Sequence, residues 1–161
     1  MSFDSGLNED FTDLLQELNT HEVQYLLIGA HAMAAHGVPR ATGDIDIFFS
    51  TDANNLSNLT DALRAFGAPI DAHGVTPDSL ATPGTIYQIG LPPRRIDLIN
   101  RISGVSFDEA WGSRIIVEVS TISIPLIGIE ALKKNKSSTG REKDVLDLRL
   151  INQIQKDLPK S

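Results

Sequence analysis

Two aspartates one residue apart, Asp44 and Asp46, open the run Asp44-Ile45-Asp46-Ile47-Phe48-Phe49. In a strand successive side chains alternate, so both carboxylates project from one face, roughly 7 Å apart at Cβ. Acids aimed the same way raise each other's pKa unless a cation lies between them. A hard divalent ion, Mg²⁺ or Mn²⁺, suits such oxygen donors and leaves coordination positions for phosphate oxygens. A further acid, Asp97, interrupts the apolar run Ile96, Leu98, Ile99. A buried, unpaired carboxylate is costly, so Asp97 in a strand needs a function or a partner. Three acids on neighbouring strands suffice for two ions, one activating an attacking hydroxyl and one supporting a leaving phosphate group.

Other residues fit the same chemistry. Gly29 ends the apolar run 23–28, and a glycine there lets backbone approach a polyphosphate closely. A short Ala-rich helix follows, whose first N–H groups favour anions. Near the other end Lys133, Lys134, Lys136, Arg141 and Lys143 crowd one segment of an otherwise acidic chain with net charge −7. Taken alone, that run reads as a solvated helix face. Arg40 either contacts a phosphate or braces Asp44 and Asp46. Arg94 and Arg95 flank the Asp97 strand, where one of them helps neutralise the acids.

The elements that must position these groups follow from periodicity. Phe11, Leu14, Leu15 and Leu18 form one apolar stripe, predicting a helix over 4–19. A buried strand is expected over 23–28, then a helix over 30–36 stopped by Gly37 and Pro39. After the Asp44 strand, Thr51 is the expected cap of a helix carrying Leu56, Leu59, Leu63 and Phe66. Residues 71–84 read as a loop, and strands 85–89 and 95–99 as a pair joined through 90–93. Ser106 and Glu109 have capping-box spacing and open a short helix bearing Trp111, expected as a core anchor. Strands are expected over 115–119 and 121–124, with Pro125 marking an edge or an end. A helix over 129–136 precedes a last one launched by Thr139 and Glu142. Its expected buried positions are Val145, Leu146, Leu148, Leu150, Ile151 and Ile154. Asp144 and Asp147 are expected to organise that helix, Asp144 near its positive start. The fold class is α+β: one mixed central sheet flanked by helices, with a helical C-terminal end.

Leu27-Ile28-Gly29-Ala30, followed by His36-Gly37-Val38-Pro39-Arg40-Ala41-Thr42-Gly43-Asp44-Ile45-Asp46, resembles the minimal nucleotidyltransferase superfamily, with its polymerase-β-like fold. The Arg-x-Thr-x-Asp-x-Asp form resembles the toxin-type branch of abortive-infection and type IV toxin–antitoxin systems; lincosamide nucleotidyltransferases are more distant. Lys136, Gly140-Arg141-Glu142-Lys143-Asp144 and Asp147 resemble the closing signature of that branch. The resemblance spans roughly residues 20–150. It implies that Asp44, Asp46 and Asp97 are catalytic carboxylates and Mg²⁺ ligands. Gly29, Ala30, Arg40, Lys136, Arg141 and Lys143 would then bind the NTP, with Lys136 the foremost phosphate contact. The implied acceptors are a tRNA, a protein or a small molecule, and an antitoxin is an implied partner. One departure stands out: where the family places a second Gly or a Ser, Ala30 offers only its backbone N–H.

The bulk composition narrows the field further. A chain of 161 residues with 41% hydrophobic and 22% charged residues suits one globular domain spanning 1–161. No run approaches the ~20 apolar residues of a membrane span. Met1-Ser2-Phe3-Asp4 lacks the basic-then-apolar pattern of a signal peptide, and there is no cysteine for a disulfide or thiolate site. A cytoplasmic location is the expectation. The net charge disfavours the whole surface as a nonspecific nucleic-acid binder. His31 and His36 lie five apart rather than four, so structural filling is the expected role, the alternative being that His31 reaches a bound phosphate from the helix start. Thr42 is expected to close the turn before the Asp44 strand. A glycosyltransferase using Asp-x-Asp is disfavoured because no Gly-x-Gly-x-x-Gly loop is present. The remaining rival to an enzyme is a binding module of the same fold without turnover, motivated by Ala30.

Overall fold

The computed structural model describes residues 7–38, 40, 41 and 43–157. The expectations on residues 1–6, Pro39 and Thr42 lie outside the described residues. Along the chain the elements are α1 (Glu9–Thr20), β1 (Tyr25–Ile28), α2 (Gly29–Ala35), β2 (Ile45–Phe49), α3 (Ala53–Phe66) and α4 (Pro77–Ala81). Then come β3 (Ile86–Ile89), β4 (Ile96–Ile99), α5 (Phe107–Gly112), β5 (Ile115–Val119), β6 (Ile122–Leu126), α6 (Ile129–Thr139) and α7 (Glu142–Asp157).

The strands form one six-stranded mixed sheet in the order β3-β4-β2-β1-β6-β5. β1 runs antiparallel to β2, and β2 runs parallel to β4. Every residue of β1 is buried, as is all of β2 except the half-buried Asp46. A strand covered on both faces needs apolar side chains at successive positions, which explains why these runs do not alternate. The α1 stripe of Phe11, Leu14, Leu15 and Leu18 is fully buried, and α1 packs against α3. Asn8 caps α1, its side chain accepting from the Phe11 N–H at 2.9 Å.

Several local expectations are corrected. The loop expected over 71–84 contains α4, closed by a reciprocal capping box between Thr76 and Ser79. Asp52, not Thr51, is the N-cap of α3, and it makes no side-chain cap bond. α6 runs to Thr139 and is stopped by Gly140, whose φ of 70° is left-handed backbone. Thr139 is therefore the end of one helix rather than the cap of the next. β6 lies inside the sheet, so Pro125 does not mark an edge; as the residue before the last it marks the strand's end, near the single β1 pairing at Leu126. Trp111 is half-buried rather than a core anchor, stacked on Phe107 with Arg114 3.9 Å above its ring.

The largest correction concerns α7. Val145, Leu146 and Leu150 are 40%, 56% and 45% exposed. The positions turned inward are Asp144, Asp147 and Ile151, at i, i+3 and i+7. Of the expected apolar positions Ile151 is buried and Leu148 and Ile154 are half-buried, so the helix presents two carboxylates beside this shorter apolar stripe.

Candidate functional site

Strand pairing brings the acids together. In the parallel β2–β4 register Asp46 stands directly beside Asp97, and on the other side Ile28 pairs with Asp46. Side chains level with each other in neighbouring strands share a face, so the two carboxyls meet. Burial first, then the Asp97 carboxylate by charge and hydrogen bond, then Asp44 push the Asp46 pKa up from 3.8 to about 6, while Lys143 pulls it down. Asp44 precedes β2 by one residue and is drawn towards Arg95. Its Oδ1 accepts the Arg95 backbone N–H at 3.0 Å, and its Oδ2 lies 3.4 Å from the guanidinium. Arg95 also forks onto Asp97, with Nε 2.7 Å from Oδ1 and a terminal nitrogen 3.1 Å from Oδ2. Arg95, and not the exposed Arg94, is thus the residue that neutralises the cluster.

Gly29 begins α2 immediately after β1, with φ of 72°. A Cβ built there would fall inside van der Waals contact of Asp46 Oδ2. Both the left-handed backbone and the lack of space demand glycine, which keeps the backbone pressed against the carboxylate. Gly29→Ala is expected to destabilise the protein by about 1–3 kcal/mol through strain and clash. Urea unfolding with an unchanged slope and a lower midpoint would register this; an unmoved midpoint would contradict the close approach.

A second constellation lies beside the first. Asp144 and Asp147 are each 1% exposed and collect the basic side chains. Lys136 Nζ sits 3.0 Å from Asp144 and 2.9 Å from Asp147. Arg40 reaches Asp147 with both terminal nitrogens, at 3.0 and 3.1 Å. Arg141 Nε and the Thr139 hydroxyl donate to Asp144 Oδ2 at 2.8 and 2.6 Å. Burial alone would raise the Asp144 pKa, but the hydrogen bonds from Thr139, Lys136 and Arg141 outweigh it and hold it down at about 2. The pairing ties the segment before β2 to α6 and α7. Asp144 and Asp147 therefore organise cations as well as their helix, a role visible only once α7 faces inward.

All nine residues singled out from the sequence, Gly29, Ala30, Arg40, Asp44, Asp46, Asp97, Lys136, Arg141 and Lys143, line one open cleft of about 710 Å³. Arg95, expected beside the acids, also lines it, as do Arg101, Asn135 and Thr139, to which the sequence assigns no part in a site. Lys133 and Lys134 point elsewhere, to Gln155 and Glu109. The side chains of Arg101 and Lys143 form no ion pair or hydrogen bond among the described residues. Arg101 carried no sequence signal beyond its charge, because the fold alone brings 101–103 to the cleft. The histidines are structural: buried His31 packs edge-on against Phe11 and reaches the Gly43 carbonyl at 3.3 Å. His36 donates to the Ile127 carbonyl at 2.7 Å, and burial lowers its pKa.

The donor set suits a hard divalent ion. Asp46 and Asp97 offer adjacent carboxylate oxygens in a partly open cleft, and Asp44 stands two residues before Asp46 along the same strand direction. Among the described residues no three such side chains already converge as a ligand set, since Asp44 and Asp97 are turned to Arg95.

No protein-family model and no curated protein matches this chain. Solved structures do. One is a Thermotoga maritima protein, TM1012, provisionally assigned as a nucleotidyltransferase; it aligns over 90% of either chain with TM-score 0.54 and 14% identity. Another is ANT(2″)-Ia in complex with adenylyl-2″-tobramycin, aligned over 89% of this chain and 86% of that one, with TM-score 0.53 and 14% identity. The six-stranded mixed sheet, its helical layers and its helical C-terminal end are those of the nucleotidyltransferase fold.

Proposed function

We propose that the protein transfers a nucleoside monophosphate from an NTP to an acceptor hydroxyl, releasing pyrophosphate. The observation that carries this reading is the adjacency of Asp46 and Asp97 in the floor of the cleft, with the Gly29 backbone held against Asp46. In this reading Asp44, Asp46 and Asp97 hold Mg²⁺ or Mn²⁺. The bound ion supplies Lewis-acid activation of the attacking hydroxyl and charge neutralisation on the leaving group.

The chain's own residues do the rest. Gly29 and Ala30 let the triphosphate lie close to backbone. Arg101 and Lys143, whose side chains form no ion pair or hydrogen bond among the described residues, meet its charges, and Lys136, Arg40 and Arg141 form the cationic wall held in place by Asp144 and Asp147. The acceptor is an RNA, a protein or a small molecule. A toxin-type role in the cytoplasm, with an antitoxin partner, is the version that the closing signature around Gly140 to Asp147 favours.

Ala30 favours a second reading, a nucleotide-binding regulatory protein without turnover, because no hydroxyl is offered at that place in the cleft. Incubating the protein with labelled NTPs, Mg²⁺ and total cellular RNA or protein separates the two. Label transfer that stops with EDTA supports the enzyme. Metal-dependent NTP binding without transfer to any acceptor supports the regulatory protein, and no NTP binding sinks both.

A further inference from the structure

The guanidinium of Arg95 and the carboxylates it holds form an unusually complete set of contacts. Asp97 Oδ1 takes Nε at 2.7 Å, and Asp97 Oδ2 takes a terminal nitrogen at 3.1 Å. Asp44 Oδ2 lies 3.4 Å from the same guanidinium, and Asp44 Oδ1 takes the Arg95 backbone N–H at 3.0 Å. All four oxygens of two of the three acids are thus engaged by one residue. Sequence and strand geometry explain it: Arg95 and Asp97 are i and i+2 at the start of β4, so their side chains leave one face. The Arg95 side chain remains 29% exposed, leaving it a path into solvent, whereas the Asp97 side chain is 12% exposed.

We propose that Arg95 is an internal counter-cation that competes with a divalent ion for the oxygens of Asp44 and Asp97, so that opening its fork is the step that admits the ion. This rests on the reading of those acids as metal ligands. A planar guanidinium satisfies carboxylates with directed hydrogen bonds, so the ion-free cluster stays folded without water-exposed repulsion. The same bonds must break before the oxygens can turn to an ion, and the positive charge left nearby opposes the ion's arrival. Arg95 therefore stabilises the ion-free state and weakens ion binding. A residue that merely oriented Asp97 for the ion would have the opposite effect on affinity.

The test is calorimetric titration of Mn²⁺ without nucleotide into wild type and Arg95→Gln, with melting temperatures in EDTA and in excess Mg²⁺. Arg95→Gln is expected to bind Mn²⁺ about tenfold more tightly. It is also expected to melt below wild type in EDTA and to gain more on adding Mg²⁺. Folded Arg95→Gln protein binding Mn²⁺ no more tightly than wild type overturns the proposal. Should that variant fail to fold, Arg95→Lys keeps the charge but loses the two-point fork. It is expected to bind Mn²⁺ more tightly than wild type, and equal or weaker binding overturns the proposal. If wild type and the variants all fail to bind Mn²⁺, the metal-ligand reading falls and this one with it. If wild type binds and the variant is no tighter, only this one falls.

Discussion

Asp46→Asn is expected to lower the proposed nucleotidyl transfer by about a thousandfold and, in the absence of divalent ions, to make the protein more stable at neutral pH. The loss follows from removing the carboxylate that stands between Gly29 and Asp97. The gain follows from linkage. Burial, then the charge and hydrogen bond of Asp97, raise the Asp46 pKa from 3.8 to about 6. A raised folded pKa means stability that is fully present below the unfolded value and lost as pH climbs through the folded one. At pH 7.5 the ionised side chain therefore burdens the folded state, and asparagine removes the burden, for a gain of about 1–2 kcal/mol. Urea unfolding in EDTA between pH 4 and 8 measures it, with the stability difference between variant and wild type growing across pH 4–6. A difference that stays flat across that range would show that Asp46 is not under electrostatic pressure. Loss of stability without loss of transfer would remove Asp46 from the site altogether.

Asp147→Ala is expected to destabilise the protein by about 3 kcal/mol, since it leaves Lys136 and Arg40 without the buried acid they share. For a chain of this size that corresponds to a melting temperature lower by roughly 6–12 °C. The cost sits at the lower end for a broken buried pair because Lys136 keeps Asp144 and Arg40 is partly solvated. The neighbouring acid gives the network its pH dependence. Although burial opposes it, hydrogen bonding from Thr139, Lys136 and Arg141 depresses the Asp144 pKa from 3.8 to about 2. A depressed acid contributes stability above its unfolded value and loses it as pH falls through the folded one, so this contribution fades between about pH 4 and pH 2. Thermal melts of wild type and Asp147→Ala at pH 7 test the first claim. A shift of under 2 °C would mean that the paired cations gain nothing from burial beside Asp147.

The two acids on α7 show where sequence reading stops. Leu146 and Leu150 compete with Leu148, Ile151 and Ile154 for the buried stripe, and hydrophobic periodicity alone does not choose the face that also carries Asp144 and Asp147. What turns it is the presence of Lys136 on α6 and Arg40 before β2, residues eleven and 107 positions away from Asp147. Charge complementarity across such separations has no period to read. Arg95 divides the same way: its fork onto Asp97 is an i, i+2 contact along one strand, but its grip on Asp44 depends on β2 and β4 lying side by side. The error over α4 is of a different kind, since Thr76 and Ser79 form a capping box within a Gly- and Pro-rich stretch whose composition outweighed it.

By itself the sequence determined the α+β class and most of the apolar strands and stripes, and it named nine candidate residues that prove to share one cleft. Those features are local: alternation, 3.6-residue periodicity, glycine at a strand end, and acids placed within apolar runs. The tertiary structure decided which groups meet. It set Asp46 beside Asp97 through a parallel register, closed Gly29 onto the same carboxylate, and assembled all nine candidate residues around one cleft. Among the described residues it also divided the basic side chains of the cleft into those paired with Asp144, Asp147, Asp44 and Asp97 and two, Arg101 and Lys143, that form no ion pair or hydrogen bond. Ion pairs and shared protons depend on distances of a few ångströms between residues far apart in the chain, and only the folded sheet establishes those distances.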